Sequence, residues 1–429
     1  MFKKLFGNTL IKVFSYNSIV VFGKLISSFV VSKISAIYLG PSGYAIVGNL
    51  KNVLQGVIGI TASGFESGII KYTAENKNNT KHFNIIVSSA ITLSVIISLI
   101  TGLLLFLFAN SLSIYVLKDL KFAFVFKCFA FILPLISLNF LVVYIFNGLQ
   151  KFKTYSVLLT LTNILNALLS FLFIYYLNLK GALLASIMIP ALSFLCSLFI
   201  KDIRSLLVVF FVNIKNISVN ILKSISTYIV MATYSSILIS LTYLFIRNKI
   251  ILDLDLVTAG LWEAMNKIST FYMIFFSSLV TLYLLPQLAV NKTISGYVTI
   301  MKTYFSYLIP FLLTVFILLL FCRTLVIKLF LTNEFQSIEQ YFYLQLIGDF
   351  IKILAFSLAY QFHAKKMVTI YFITDTILYL SFYFLSTYLI NYYFLKGVFY
   401  AYIISTSLYL IFVIIFLIYN NANYLKEDA

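Results

Sequence analysis

Apolar runs long enough to cross a bilayer recur from one end of this 429-residue chain to the other, broken by short polar segments. A spanning helix needs roughly 20 apolar residues to cross a hydrocarbon core of about 30 Å. Stretches such as 91–108 and 311–321 are apolar on every face. A spanning barrel would instead show segments of about 10 residues in strict alternation. The pattern therefore predicts an all-α polytopic membrane protein. Hydrophobic residues make up 62% of the chain and charged residues 10%, outside the range of a soluble domain. Breaking the sequence at polar and turn-rich points predicts twelve spans, at 13–37, 44–72, 83–109, 121–147, 155–178, 181–200, 224–246, 256–288, 299–322, 339–362, 367–391 and 397–419.

The net charge of +18 is scattered along the whole chain, which excludes a basic nucleic-acid-binding module and reads as membrane topology. With the N-terminus inside, 17 lysines and arginines fall on the cytoplasmic side and 8 on the other, leaving six lysines within spans. The positive-inside rule then predicts both termini to be cytoplasmic. Lys3 and Lys4 precede the first span, and with no small-residue cleavage site after it that span is expected to be retained. The longest polar segment, 201–223, follows the sixth span. It predicts an N-terminal six-helix lobe at 1–203, a cytoplasmic linker at 204–223 and a C-terminal six-helix lobe at 224–429.

Ionisable residues at bilayer depth cost roughly 2.5–3.5 kcal/mol on insertion scales and usually face a wet cavity or a partner. In the second span Gly48, Asn52, Gln55, Gly59, Ser63 and Glu66 recur at helical spacing and fall within about 80° of one another. The eighth span repeats the pattern with Glu263, Asn266, Lys267, Thr270, Ser277 and Thr281, within about 120°. Matching stripes in the two halves are what a central hydrophilic cavity needs; interhelical hydrogen bonding is the competing reading. The intramembrane cations are Lys24, Lys33, Lys51, Lys127, Lys267 and Lys352. Lys24 sits mid-span, whereas Lys33, Lys51 and Lys127 lie near enough to span ends to snorkel. The acids at depth are Glu66, Glu263, Asp349 and Asp375. Glu263 with Lys267 (i,i+4) and Asp349 with Lys352 (i,i+3) are spaced to neutralise each other, as an alternative to a transport role. Asp375 has no cation within helical reach, which makes it the candidate carboxylate for proton or cation coupling.

Cys128, Cys196 and Cys322 lie in hydrophobic runs without ligand spacing, and read as packing residues. The chain has no Gly-rich phosphate loop, no His-Glu cluster and no nucleophile elbow, so neither ATP hydrolysis nor covalent catalysis is indicated. No cofactor and no metal site are expected.

Tyr38-Leu39-Gly40-Pro41-Ser42-Gly43, followed by Gly68-Ile69-Ile70-Lys71-Tyr72, resembles the start of Wzx-type translocases. The similarity continues through Gly260-Leu261-Trp262, Tyr283-Leu284-Leu285-Pro286 and the string from Gln345 through Gly348 and Asp349 to Lys352. These are the O-antigen and enterobacterial-common-antigen flippases of the MOP (MATE-like) superfamily. In such relatives Lys24, Lys33, Lys71, Asp349 and Lys352 match charges of like sign, and Asp375 matches an acid. Thr270 and Glu263 depart from that pattern, so the charges of the eighth span do not carry over directly. The resemblance implies that an undecaprenyl-diphosphate-linked oligosaccharide is moved from the cytoplasmic to the periplasmic leaflet of the bacterial inner membrane, by alternating access of two six-helix lobes. The substrate is then a lipid-linked oligosaccharide amid membrane lipids. Other membrane proteins of polysaccharide assembly, a polymerase or a chain-length regulator, are candidate partners.

On this reading Lys24 and Lys267 are candidates to hold the diphosphate, with Asn52, Gln55 and Lys71 along the path. Two other functions compete. A MATE-like multidrug exporter would use acids to bind cationic drugs, and the excess of six lysines over four acids at depth leans against it. A membrane glycan polymerase would carry catalytic residues on a sizeable periplasmic loop, which the span pattern does not leave room for.

Overall fold

The computed structural model describes residues 8–213, 218–280, 284, 287–288, 294–364 and 367–427. Lys3, Lys4, Lys215, Thr281, Tyr283, Leu285, Pro286, Lys292, Lys365 and Lys366 lie outside the described residues.

Hydrocarbon offers no partner to a backbone N–H or C=O, so a chain immersed in it must satisfy these groups along helices. Among the described residues fourteen helices result: α1 Asn8–Thr61, α2 Glu66–Glu75, α3 Thr80–Leu107, α4 Ala109–Leu117, α5 Ala123–Gly148, α6 Phe152–Ser197, α7 Lys201–Asn213, α8 Val219–Asp253, α9 Leu256–Leu279, α10 Ile294–Phe321, α11 Arg323–Phe330, α12 Phe342–Ala364, α13 Val368–Tyr393 and α14 Leu395–Glu427. Among the described residues nine helical stretches are long and apolar enough to cross a membrane, which makes the chain a multi-pass membrane protein.

These nine hold eleven of the twelve expected spans, because two of them are kinked pairs. One, at 18–61, breaks at Gly40 (φ 59°, ψ −172°) just before Pro41. Glycine tolerates the positive φ and the proline cannot donate to the turn before it. The other, at 152–197, breaks at Asn178 (φ 48°, ψ −128°). The remaining expected span, 256–288, is a helix over Leu256–Leu279. It carries Glu263 and Lys267 and falls outside the apolar set.

Where a helix ends, side chains supply the missing partners. α1 stops at Thr61, and its freed carbonyls accept from Thr233 Oγ1 (to Gly59 O, 3.2 Å) and Ser94 Oγ (to Thr61 O, 2.7 Å). The end of α4 is served by Asn49 Nδ2, which donates to Val116 O at 2.9 Å. Asp255 caps α9, its carboxylate accepting from the backbone N–H of Thr258 at 2.6 Å.

The chain divides into two compact units, residues 1–39 with 46–240 and residues 40–45 with 241–429. The segment read from sequence as a linker, 204–223, begins within α7, whose Leu206 is buried in the first unit's core alongside Phe65, Ile69 and Phe146. The order of elements repeats. α3, α4, a 3-10 turn at Leu120–Phe122, α5 and the kinked α6 have counterparts in α10, α11, a 3-10 segment at Asn333–Tyr341, α12 and the α13–α14 pair.

Close helix approach depends on small residues, as it does generally in membranes. In the first unit a side chain on Gly59 would meet Ser236 Cβ at 2.3 Å. In the second, a Cβ on Gly260 would lie 1.8 Å from the backbone carbonyl oxygen of Pro41, so α9 packs directly on the chain just after the Gly40 break. A backbone atom cannot swing aside as a side chain can. Gly260→Ala is therefore expected to cost about 3 kcal/mol by overpacking, and to accumulate poorly in membranes or to melt well below wild type in detergent. Gly23→Ala, whose nearest neighbour would be Asn163 Nδ2 at an ordinary 3.4 Å, is expected to match wild type in both measurements.

Candidate functional site

In the second unit the polar residues gather around a wholly buried carboxylate. Asp349 on α12 has no exposed surface. It accepts from Ser269 Oγ at 2.7 Å, Gln345 Nε2 at 3.0 Å and Tyr402 Oη at 2.6 Å, and also from Tyr272 Oη. The donors come from α9, α12 and α14, so one side chain ties three helices together. Four donors on two oxygens are what a buried carboxylate requires in place of water. The neighbouring Gly348 makes this possible, because a Cβ there would sit 2.4 Å from the Tyr402 ring.

Asp349 and Lys352, whose spacing left a pair open as one alternative, take other partners. Lys352 Nζ lies instead over the rings of Tyr402 (5.4 Å) and Phe356 (5.5 Å), and the carboxylate's capacity is taken by neutral donors. Glu263 likewise takes a partner other than the one its spacing offers. It pairs with Arg247 of α8, where the sequence suggested Lys267 one turn further along its own helix. Arg247 is fully buried and its guanidinium stacks 5.4 Å from the Trp262 ring. Trp262 in turn stacks on Tyr243 at 5.6 Å. A planar guanidinium can meet a carboxylate and an aromatic face together, which a lysine ammonium does less well. From the sequence Arg247 counts among the eight basic residues outside the spans on the non-cytoplasmic side, because its span was expected to end at 246, whereas α8 continues to Asp253. Tyr272 and Tyr402 carry no sequence signal that separates them from the other 29 tyrosines.

Lys267 is half-buried on α9, and Thr270 is exposed there. Asp375 is buried on α13, within electrostatic reach of the tyrosine hydroxyls of Tyr379 and Tyr409. The flanking Thr374 and Thr376 hydroxyls donate to their own helix, to Ile370 O at 2.9 Å and Phe372 O at 2.6 Å.

In the first unit, Lys24 is exposed on α1, beside the face that fastens α1 to α6. That face is held by Asn166 Nδ2 donating to Ser27 Oγ at 2.8 Å and Ser156 Oγ donating to Tyr16 O at 2.8 Å. The polar stripe of the second span does not run as one helix. It breaks at Ala62 (φ −140°, ψ −60°), passes through a 3-10 turn at Ser63–Phe65 and resumes at Glu66. Before the break Asn52 is half-buried, Gln55 exposed and Gly59 committed to packing on Ser236. After it, Glu66 opens α2, where an acid complements the helix dipole. Lys71 lies over the Tyr72 ring at 5.5 Å and 4.0 Å from Glu75. Among the described residues no group of three or more His, Cys, Asp or Glu is placed to hold a metal ion.

The buried carboxylate sets a test of this geometry. Asp349→Asn keeps the shape but turns one acceptor oxygen into a donor facing other donors. We expect it to lower stability by about 3–4 kcal/mol, against about 1.5–2 kcal/mol for Tyr402→Phe, which removes a single donor to the carboxylate. Melting of the two purified variants in detergent checks the order, and equal melting temperatures would contradict it.

Comparison with known proteins places this architecture. The chain is similar to the Lipid III flippase of Escherichia coli strain K12, with 21% identity over 355 residues, 82% of this chain and 84% of that protein. The Lipid III flippase of Shigella flexneri matches with the same figures. Among solved structures, a multidrug resistance MATE family transporter of the MOP superfamily in an inward-facing conformation superposes with a TM-score of 0.77 at 17% identity, over 94% of this chain and 96% of that one. A MOP superfamily transporter from Pyrococcus furiosus, described as having a binding pocket of reverse polarity, gives 0.59 at 15% identity over 94% and 95%. These likenesses establish the fold as that of MATE-type transporters. The model of the family described as polysaccharide biosynthesis protein matches residues 10–292. That match takes in more than half of the sequence, and the chain belongs to this family.

Proposed function

We propose that this protein is a flippase: it translocates an undecaprenyl-diphosphate-linked oligosaccharide from the cytoplasmic to the periplasmic leaflet of the bacterial inner membrane, with both termini cytoplasmic, and performs no covalent chemistry. The observation that carries this reading is the similarity to Lipid III flippases along 82% of the chain, on a fold shared with membrane transporters. The residues fit the task. A sugar head group needs hydrogen-bonding side chains in place of water, and a diphosphate needs a mobile point charge. Asn52 and Gln55 supply the first, and Lys24, Lys71 and Lys267 are candidates for the second. In this scheme the two lobes alternate in exposing the path, and Asp375 is the candidate for coupling to protons or cations. A polymerase or chain-length regulator would receive the product on the periplasmic side.

A multidrug exporter of the same fold is the second reading, favoured by the superposition on a MATE transporter. Such an exporter needs carboxylates available to a cationic drug. Two of the four acids at depth are already engaged, Glu263 by Arg247 and Asp349 by four donors, which disfavours it.

The test is a deletion in a host that makes a surface glycan, complemented with wild type, Lys24→Ala or Asp375→Asn, following lipid-linked precursor in each leaflet. Wild type is expected to restore export, and Lys24→Ala to leave precursor on the cytoplasmic side, with transport reduced at least about tenfold despite normal insertion. Unchanged surface glycan with raised drug sensitivity would favour the exporter. Unpolymerised precursor reaching the periplasm in the deletion strain would also defeat the flippase reading.

A further inference from the structure

The two units each contain a corner that the proposed translocation path does not use. In the first, α6 runs to Tyr175-Tyr176-Leu177, turns at Asn178 and resumes through Leu179-Lys180-Gly181. In the second, α13 ends at Tyr392-Tyr393, the chain turns at Phe394 (φ 50°, ψ −138°) and α14 begins Leu395-Lys396-Gly397. The dihedral angles at Asn178 and Phe394 are nearly the same. The glycines do the same work as well. A Cβ on Gly181 would fall 1.8 Å from Phe173 O, and one on Gly397 would fall 2.3 Å from Leu389 O, in both cases the carbonyl eight residues back. One corner has thus been built twice from nearly the same string.

Gly181 and Gly397 account for the closeness of the turn, but nothing in the turn requires the tyrosines or the lysine. The rings are displayed outward: Tyr176 is 72% exposed, Tyr392 63% and Phe394 68%. They pack chiefly on other rings of the same corner, Tyr175 meeting Tyr176 at 5.1 Å in the first and Tyr388 meeting Tyr392 at 5.2 Å in the second. Lys180 is exposed and Lys396 half-buried. No acid occurs in 171–181 or 388–400, so each corner presents aromatic edges and a positive charge. Each also lies within or at the end of a helical stretch long and apolar enough to cross a membrane.

We propose that the two corners are a matched pair of membrane-interface anchors, occupied by the phospholipid head-group layer. The rings lie at the acyl boundary, the tyrosine hydroxyls reach the wet side, and the ammonium groups of Lys180 and Lys396 bind lipid phosphates. Amphipathic rings favour this layer, and lysine beside them adds charge complementarity. Each unit thereby carries its own depth marker, which holds one end of a helix hairpin at a fixed level while the rest of the unit moves.

The experiment places a tryptophan at each corner, Tyr176→Trp and Tyr393→Trp, in the full chain reconstituted in phosphatidylethanolamine and phosphatidylglycerol vesicles. The sole native tryptophan, Trp262, is 2% exposed and gives a constant background. Lipids brominated near the ester carbonyl are expected to quench each new tryptophan about twofold more than lipids brominated near the terminal methyl. Adding Lys180→Gln to Tyr176→Trp is expected to raise quenching by aqueous acrylamide. Stronger quenching from the deep position, or quenching by acrylamide with none from either lipid, overturns the proposal at whichever corner shows it. Should Tyr393→Trp fail to insert, Tyr392→Trp reports on the same corner.

Discussion

The cost of presenting an unsatisfied backbone group to hydrocarbon governs this structure, and most of its irregular features are answers to that cost. Helices run as far as the sequence allows. Where they stop among buried residues, a hydroxyl or amide from a neighbouring helix completes the hydrogen bonding, as Thr233 and Ser94 do at the end of α1 and Asn49 at the end of α4. Two of the breaks in the long helices come with a glycine at or near the turn, Gly40 at its own kink and Gly181 just after Asn178, the second admitting a backbone approach that any side chain would block.

The same accounting extends to charge. A carboxylate at bilayer depth must be neutralised, hydrogen-bonded or wet. Asp349 takes the second course so fully that it acts as a tie between three helices, and Glu263 takes the first with Arg247. Both were attractive transport residues as isolated letters in an apolar run. Their surroundings make them positioning residues that fix α9, α12, α14 and the Arg247 end of α8 within the second unit. Lys24, by contrast, is a cation exposed on α1. This matches a substrate bearing a diphosphate better than one bearing a positive charge.

The class of the protein and nearly all of its spans were legible in the sequence, because apolar length is a local property. The kinked pairs at Gly40 and Asn178 were legible as well, since turn residues mark them. Partnership was not. Glu263 and Lys267 are neighbours in sequence, and the one-turn rule pairs them. Arg247 wins through stacking on Trp262, a contact between two helices that no spacing within one helix reveals. The Asp349 cage failed to show for the same reason, its donors being drawn from residues up to 80 positions away. The stripe in the second span was read on an ideal helix, and the break at Ala62 removed its continuity. The internal repeat, faint in the polar stripes, is plainest at the two Tyr-Tyr corners, where a one-residue deletion disguises the match.

The central claim, that the chain moves a lipid-linked oligosaccharide across a bilayer, is tested most directly with the purified protein in vesicles. Labelled undecaprenyl-diphosphate-linked oligosaccharide would be placed in the outer leaflet and then challenged with a membrane-impermeant glycosidase. Protection of a growing fraction of the label in vesicles that contain the protein, beyond that in protein-free vesicles, is the predicted result. Cleavage that proceeds equally and to completion in both would contradict it.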